Sequence, residues 1–437
     1  MEILVRVAQL LLSLSILVLL HEAGHFFFSK LFKIRVEKFY LFFNPWFSLF
    51  KFKKGDTEYG VGWLPLGGYV KIAGMIDESM DKEQMKEPVQ PWEFRAKPSW
   101  QRLLVMIGGV LVNFLLALVI YIAVLYTWGE EYVANKDVTY GIQADSLAQR
   151  IGFRNGDKIS SLDGKPLENI ATLQGDIVLN EVKNVLVERD GKQVNVAISP
   201  KFVPEILKAK GMFGPRVKYI VADVADGMPA KAAGVKAGDR FIKADTTTFE
   251  YVDEFKSYFA AHKNKKITVA ALRGNDTVSF SIVPNSQGLI GTMFTTYEQF
   301  KISKIEYGFW ESIPAGIDHG IDKAVKYVQQ LKLIVKPETK AYESLGGFIA
   351  IGKIFPGSWD WGAFWEMTAF LSIILAIMNI LPIPALDGGH VMFLLYEMVT
   401  RRKPSEKFME YAQIVGMVIL LALLIYANGN DIIKLFR

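Results

Sequence analysis

The stretch that most restricts how this chain can fold is an apolar run over residues 7–20 that ends in His21-Glu22-Ala23-Gly24-His25. With its flanks, from about Ile3 to Lys30, the run is long enough to cross a bilayer as a helix. On a helix, positions i and i+4 share a face, so His21 and His25 can aim their imidazoles at one ion with Glu22 beside them. This is the H-E-x-x-H arrangement, in which two imidazoles hold zinc and the glutamate takes a proton from water. Ionisable side chains in a lipid-spanning segment are costly unless paired, metal-bound or in a wet cavity. A cleaved secretory signal is the competing reading of the run. It lacks a small-x-small site, and H-E-A-G-H occupies the place where cleavage would fall. At ~1.5 Å per residue, His21 lies roughly 13 Å before Lys30, inside the bilayer and nearer the end marked by Lys30, Lys33, Arg35 and Lys38.

Composition narrows the ligand set. The 437 residues include no cysteine and five histidines, His21, His25, His262, His319 and His390. Without thiolates, a three-ligand zinc site draws on these and on carboxylates. An apolar content of 51% suits a chain partly embedded in lipid and partly soluble. Basic residues are not interleaved with exposed aromatics in a compact module, which argues against a nucleic-acid partner.

Residues 1–32 form the first membrane segment and residues 33–101 a membrane-associated β-loop. In the loop, Ser48-Leu-Phe-Lys-Phe-Lys53 alternates by two, Lys54-Gly55-Asp56 reads as a turn, and residues 57–63 read as the return strand. Residues 64–74 follow as a second, glycine-marked extended segment, and the density of Phe, Trp and Tyr places this sheet at the membrane interface. An open, glycine-rich strand edge beside a zinc site can pair with an extended peptide, which makes Gly67 and Gly68 candidate substrate contacts. The other reading is an interfacial anchor with no substrate role. Residues 77–98 turn polar and proline-marked and read as surface.

A second membrane helix, about Leu103 to Tyr126 within residues 102–128, carries Gly108 and Gly109, which admit a close neighbouring helix. Its Asn113 needs a partner, either a structural hydrogen bond or a place near the reacting groups. Residues 129–300 are soluble in composition and contain a repeat. Ile151-Gly152-Phe153-Arg-Asn-Gly156-Asp157-Lys-Ile159 recurs as Ala233-Gly234-Val235-Lys-Ala-Gly238-Asp239-Arg-Phe241, each copy with a helix before it and strands, a short helix and a strand pair after. The two copies resemble PDZ domains of bacterial proteases, placed at 129–210 and 211–300. They act either as peptide-binding modules or as steric filters. Residues 301–360 read as amphipathic linker helices on or slightly in the membrane.

The third membrane segment, 361–386, ends in Asn379-Ile-Leu-Pro382-Ile-Pro384-Ala-Leu-Asp387. Two prolines break the helix, and Asp387 directly after an apolar run either caps the next helix or supplies the third zinc ligand. His390 is a possible ligand assigned here to the surroundings of the site. Residues 387–437 read as a cytoplasmic loop and a fourth helix, about Tyr411 to Asn428. Lys and Arg crowd the loops after helices one and three, which puts both loops in the cytoplasm and the repeat tandem outside. The fold class expected is an α-helical polytopic membrane protein with four transmembrane helices, membrane-associated β-strands and two inserted PDZ-like α+β domains.

Taken together, H-E-A-G-H in a membrane helix, Gly109-x-x-x-Asn113, the PDZ-like insertion and Asn379-x-x-Pro382-x-Pro384-x-Leu386-Asp387-Gly388 resemble the site-two protease family, and within it the bacterial regulators of sigma-E. The likeness runs from end to end. It implies one Zn2+ per chain held by His21, His25 and Asp387, Glu22 as general base, and Asn379, Pro382 and Pro384 holding substrate. It also implies substrates that are single-span proteins of the bilayer, such as anti-sigma factors and remnant signal peptides, cut after trimming outside. The inner membrane is the implied location, with the active site towards the cytoplasm and the tandem in the periplasm. One departure is Leu345-Gly-Gly-Phe-Ile-Ala-Ile351, where relatives often carry a Gly-Pro-Ile-like sequence. Two other functions fit parts of the chain: a non-catalytic PDZ scaffold, which needs no zinc, and a metallopeptidase acting on peptides at the membrane surface.

Overall fold

The structure is a computed structural model that describes residues 1–65, 67–75 and 87–436. Of the polar stretch read as surface at 77–98, residues 77–86 lie outside the described residues. The chain divides into two compact units. One comprises Met1–Gly129, Glu306–Val335 and Tyr342–Arg437, the other Glu130–Ile305 and Lys336–Ala341.

In the first unit, four helices are long and apolar enough to cross a membrane. They are α1 (Glu2–Leu31), α2 (Ser99–Trp128), α5 (Trp361–Ile380) and α7 (Glu406–Leu435). α1 and α2 cross backbone to backbone: a Cβ at Gly108 would stand 2.7 Å from the Gly24 carbonyl oxygen, and one at Gly24 would strike Gly108. Small residues at such a crossing give close packing where lipid supplies no hydrophobic drive. α7 is longer than the sequence suggested because its polar end is used. Asp431 accepts the backbone N–H groups of Gly347 and Ala350 at 2.9 Å each, and so caps the short helix α4 (Phe348–Lys353). The unusual segment before the third span is therefore a capped helix start.

The linker contains one long helix, α3 (Phe309–Ile334), which packs on α2. Its Gly316 and Gly320 leave no room for a side chain against Ile122 and Leu118 of α2, and Ala324 joins a cluster with Ile120, Tyr121 and Ile373. Small residues at i and i+4 on one face allow that approach. The segment after Asp387 is not a loop but helix α6 (Asp387–Thr400). Its Val391 and Leu394 pack with Ile34, Ile72, Val105 and Met106, an apolar stripe that the preceding glycine pair disguised.

Four strands form one sheet, β1 (Val36–Leu41), β2 (Phe50–Lys54), β3 (Thr57–Val61) and β4 (Tyr69–Ile72), in the order β2-β3-β1-β4. β1, which the sequence reading passed over, is central. It pairs in parallel with β3 and antiparallel with β4, with Tyr40 opposite Tyr69 and Phe39 opposite Val70. Among the described residues, β4 is thus an edge strand.

The second unit contains the repeat twice in one design. Four-stranded sheets run Lys192–Ala197, Asn184–Arg189, Lys158–Leu162, Lys165–Pro166 in the first copy and Asp276–Ile282, Ile267–Arg273, Arg240–Ala244, Thr247–Thr248 in the second. Asp157 accepts a two-pronged bond from Arg189, whose guanidinium also reaches the Gly152 carbonyl. Asp239, Arg273 and Gly234 repeat this arrangement. The aspartates of the repeated motif are therefore structural, buried and paired. Strand Phe213–Pro215 pairs back onto Ile142–Ala144, so the first copy continues past residue 210.

Candidate metal centre

α1 delivers His21, Glu22 and His25 to the wall of one cavity of about 670 Å³. His25 Nδ1 lies 2.8 Å from the Val105 carbonyl oxygen of α2. A carbonyl only accepts, so Nδ1 carries the proton and the Nε2 lone pair is left for another partner. His21 Nε2 lies 3.3 Å from His25 Nε2. Asp387, the first residue of α6, brings Oδ2 to 3.2 Å from His21 Nε2 and 3.3 Å from His25 Nε2. Three donor atoms so spaced match the edges of a tetrahedron whose corners stand ~2.0 Å from its centre, the bond length zinc takes to nitrogen and oxygen.

Two buried oxygens support the fit. Asp387 Oδ2 has no hydrogen-bond donor, and neither has Asn113 Oδ1. Asn113 Nδ2 lies 3.4 Å from His21 Nδ1. The two ends of an amide are interchangeable in placement. Turned over, Asn113 accepts the Nδ1 proton of His21 and leaves that Nε2 free as well. The turn that carries Asp387 is made by the two prolines, followed by Ala385 at φ 84°. The turn presses on α6 and α7, since a Cβ at Gly389 would stand 2.6 Å from Pro384 Cα and one at Gly416 would strike the Pro384 carbonyl.

Of the other residues expected here, Gly67, Gly68, Asn113 and Asn379 line the cavity, whereas Pro382 and Pro384 are not among its wall residues. A Cβ at Gly68 would stand 2.7 Å from the Tyr40 carbonyl, 2.8 Å from Val18 and 3.4 Å from Glu22 Cγ, so the approach to β4 lies directly on α1. Asn379 Nδ2 is 3.3 Å from His21 Nε2. His390 also lines the cavity, but the group of donors close enough to share an ion, among the described residues, is His21, His25 and Asp387.

Sequence reasoning did not single out Lys38 or Gln413 as lining the site, and it read Gly109 as room for a neighbouring helix and part of Gly109-x-x-x-Asn113, not as room for the imidazoles. A Cβ at Gly109 would stand 2.5 Å from His25 Nε2 and 2.7 Å from His21 Nδ1, so only glycine leaves room for both imidazoles. Its spacing from Asn113, one helical turn, was the available signal. Lys38 and Gln413 line the cavity from β1 and α7, and neither stood out in sequence.

Comparison with known proteins agrees with this geometry. The model of peptidase family M50 matches residues 9–423. The chain is 27% identical over 459 residues to the regulator of sigma E protease of Haemophilus influenzae, covering all of both chains. It is 26% identical over 470 residues to protease RseP of Yersinia pestis, again over the full length of each. A Neisseria meningitidis protein whose name carries the description zinc metalloprotease is 29% identical over 450 residues, 97% of this chain and 98% of its own. A match over nearly the whole chain, on a fold that gathers two histidines and an aspartate among apolar helices, leads to one assignment: the chain belongs to peptidase family M50, the site-two protease family of zinc metalloproteases.

Proposed function

We propose that this protein cuts single-span membrane proteins within their transmembrane segments, with zinc held by His21, His25 and Asp387 and with Glu22 as general base. The observation that carries the reading is the triangle of Nε2, Nε2 and Oδ2 atoms, 3.2–3.3 Å on a side, among helices apolar enough to span a bilayer. Zinc held by these three residues would polarise the scissile carbonyl and lower the pKa of the attacking water. Glu22 accepts that water's proton and returns it to the leaving amine. The Val105 carbonyl and Asn113 hold the two imidazoles in the tautomer that offers Nε2. A helical substrate shields its own peptide bonds, so it must unwind. The β4 edge, which shares the cavity with Glu22, receives the loosened strand.

The resemblance to the site-two protease family supports substrates such as anti-sigma factors and remnant signal peptides. The two sequence repeats act as PDZ-like domains on the periplasmic side of the inner membrane, excluding substrates that keep a bulky outer domain. The test is Glu22→Gln in the purified full-length protein with a single-span model substrate. Zinc should stay at one per chain while cleavage falls by at least ~100-fold, in the range general-base removal costs. Cleavage at the original rate would sink the reading.

A further inference from the structure

The cavity holds a polar group that this chemistry leaves unused. Gln413 lies on α7 three residues before Gly416, so the two share a helix face. Gly416 fixes that face against the Pro384 carbonyl, on the turn that leads to Asp387. Gln413 is 7% exposed and lies in the wall that His21, Glu22 and Asp387 also line. Among the described residues its amide has no hydrogen-bond partner. An unpaired amide on a largely buried side chain that lines a cavity among span-forming helices is available to a ligand.

β4 indicates which ligand. It is an edge strand, and Tyr69, Val70, Lys71 and Ile72 line the same cavity. A strand laid along it pairs only part of its backbone N–H and C=O groups, and the rest point away. At membrane depth those groups need partners on the far side, because every backbone polar group must be satisfied there. A primary amide supplies both a donor and an acceptor. We propose that Gln413 is a substrate-binding residue that hydrogen-bonds the unwound substrate backbone on the side turned away from β4. The substrate is then gripped from α7 and β4 together while its bond is cut. Because the contact is to backbone, it favours an opened helix whatever side chains the substrate carries. This rests on the proteolytic reading above.

The experiment uses full-length protein in liposomes, loaded with zinc, and a single-span model substrate. Gln413→Leu should keep one zinc per chain and cut the same bond, with kcat/KM lower by about 5- to 30-fold, as expected for one lost hydrogen bond. Gln413→Asn should recover part of the loss. In a second arm, a photo-crosslinking residue at 413 in a Glu22→Gln background should capture the substrate's transmembrane segment. Wild-type kcat/KM in Gln413→Leu, or no capture from position 413, overturns the proposal. Should Gln413→Leu fail to fold, the crosslinking arm decides alone. Failure of the proteolytic reading looks different: Glu22→Gln would still cut, or the zinc-loaded wild type would not.

Discussion

At the metal centre the residue with the least freedom is Gly109. It touches no substrate, yet a single added carbon there overlaps both imidazoles. Gly109→Ala should therefore lower bound zinc well below one per chain while the protein still inserts and folds, read by metal analysis beside a thermal melt. Full zinc content would contradict the close approach. The histidines were legible because helical periodicity alone puts them on one face, and Glu22 because it adjoins them in the H-E-x-x-H pattern. Asp387 was legible because an aspartate after an apolar run and two prolines asks for a partner. Gly109 was legible as a close-packing glycine but not as the room for two imidazoles, because that constraint comes from side chains on another helix, and sequence spacing records contacts within an element better than contacts between elements.

Among the elements, α6 is the one on which Asp387 depends. Beyond its apolar stripe, Glu397 forms a partly buried ion pair with Arg102 at the start of α2, and Ser99 donates to the same carboxylate at 3.1 Å. Arg102 stands one turn before Val105, whose carbonyl holds His25. The first turns of α2 thus hold both the helix that carries Asp387 and the ring of His25. Removing one partner of such a pair leaves the other charge uncompensated in a partly buried site, a cost of roughly 1–3 kcal/mol, below that of a fully buried pair. Glu397→Ala should lower the thermal stability of the membrane unit and speed zinc loss to a chelator, and the exchange Arg102→Glu with Glu397→Arg should recover part of both. Unchanged melting and zinc release would show the pair to be idle. The same scale explains where the sequence reading fell short. β1 was hidden between a helix end and an aromatic loop, and α3 and α6 are helices whose positions are set by glycine contacts with α2 and with the proline turn.

For the whole molecule, the sequence disclosed four spans and a repeated soluble insertion. It did not disclose how residues near both ends of the chain meet, since that depends on α2 holding α1 and α6 at once. The size-exclusion role assigned to the insertion predicts that deleting residues 133–295 lets the protein cut model substrates that still carry their outer domain. If such substrates stay intact while trimmed ones are cut, selection lies elsewhere. The central claim is that three side chains, two from α1 and one from α6, hold one zinc ion. It is tested most directly by the zinc stoichiometry of Asp387→Ala beside that of His390→Ala in purified full-length protein. The account predicts that Asp387→Ala falls well below one zinc per chain and His390→Ala stays at one. The reverse result would contradict it.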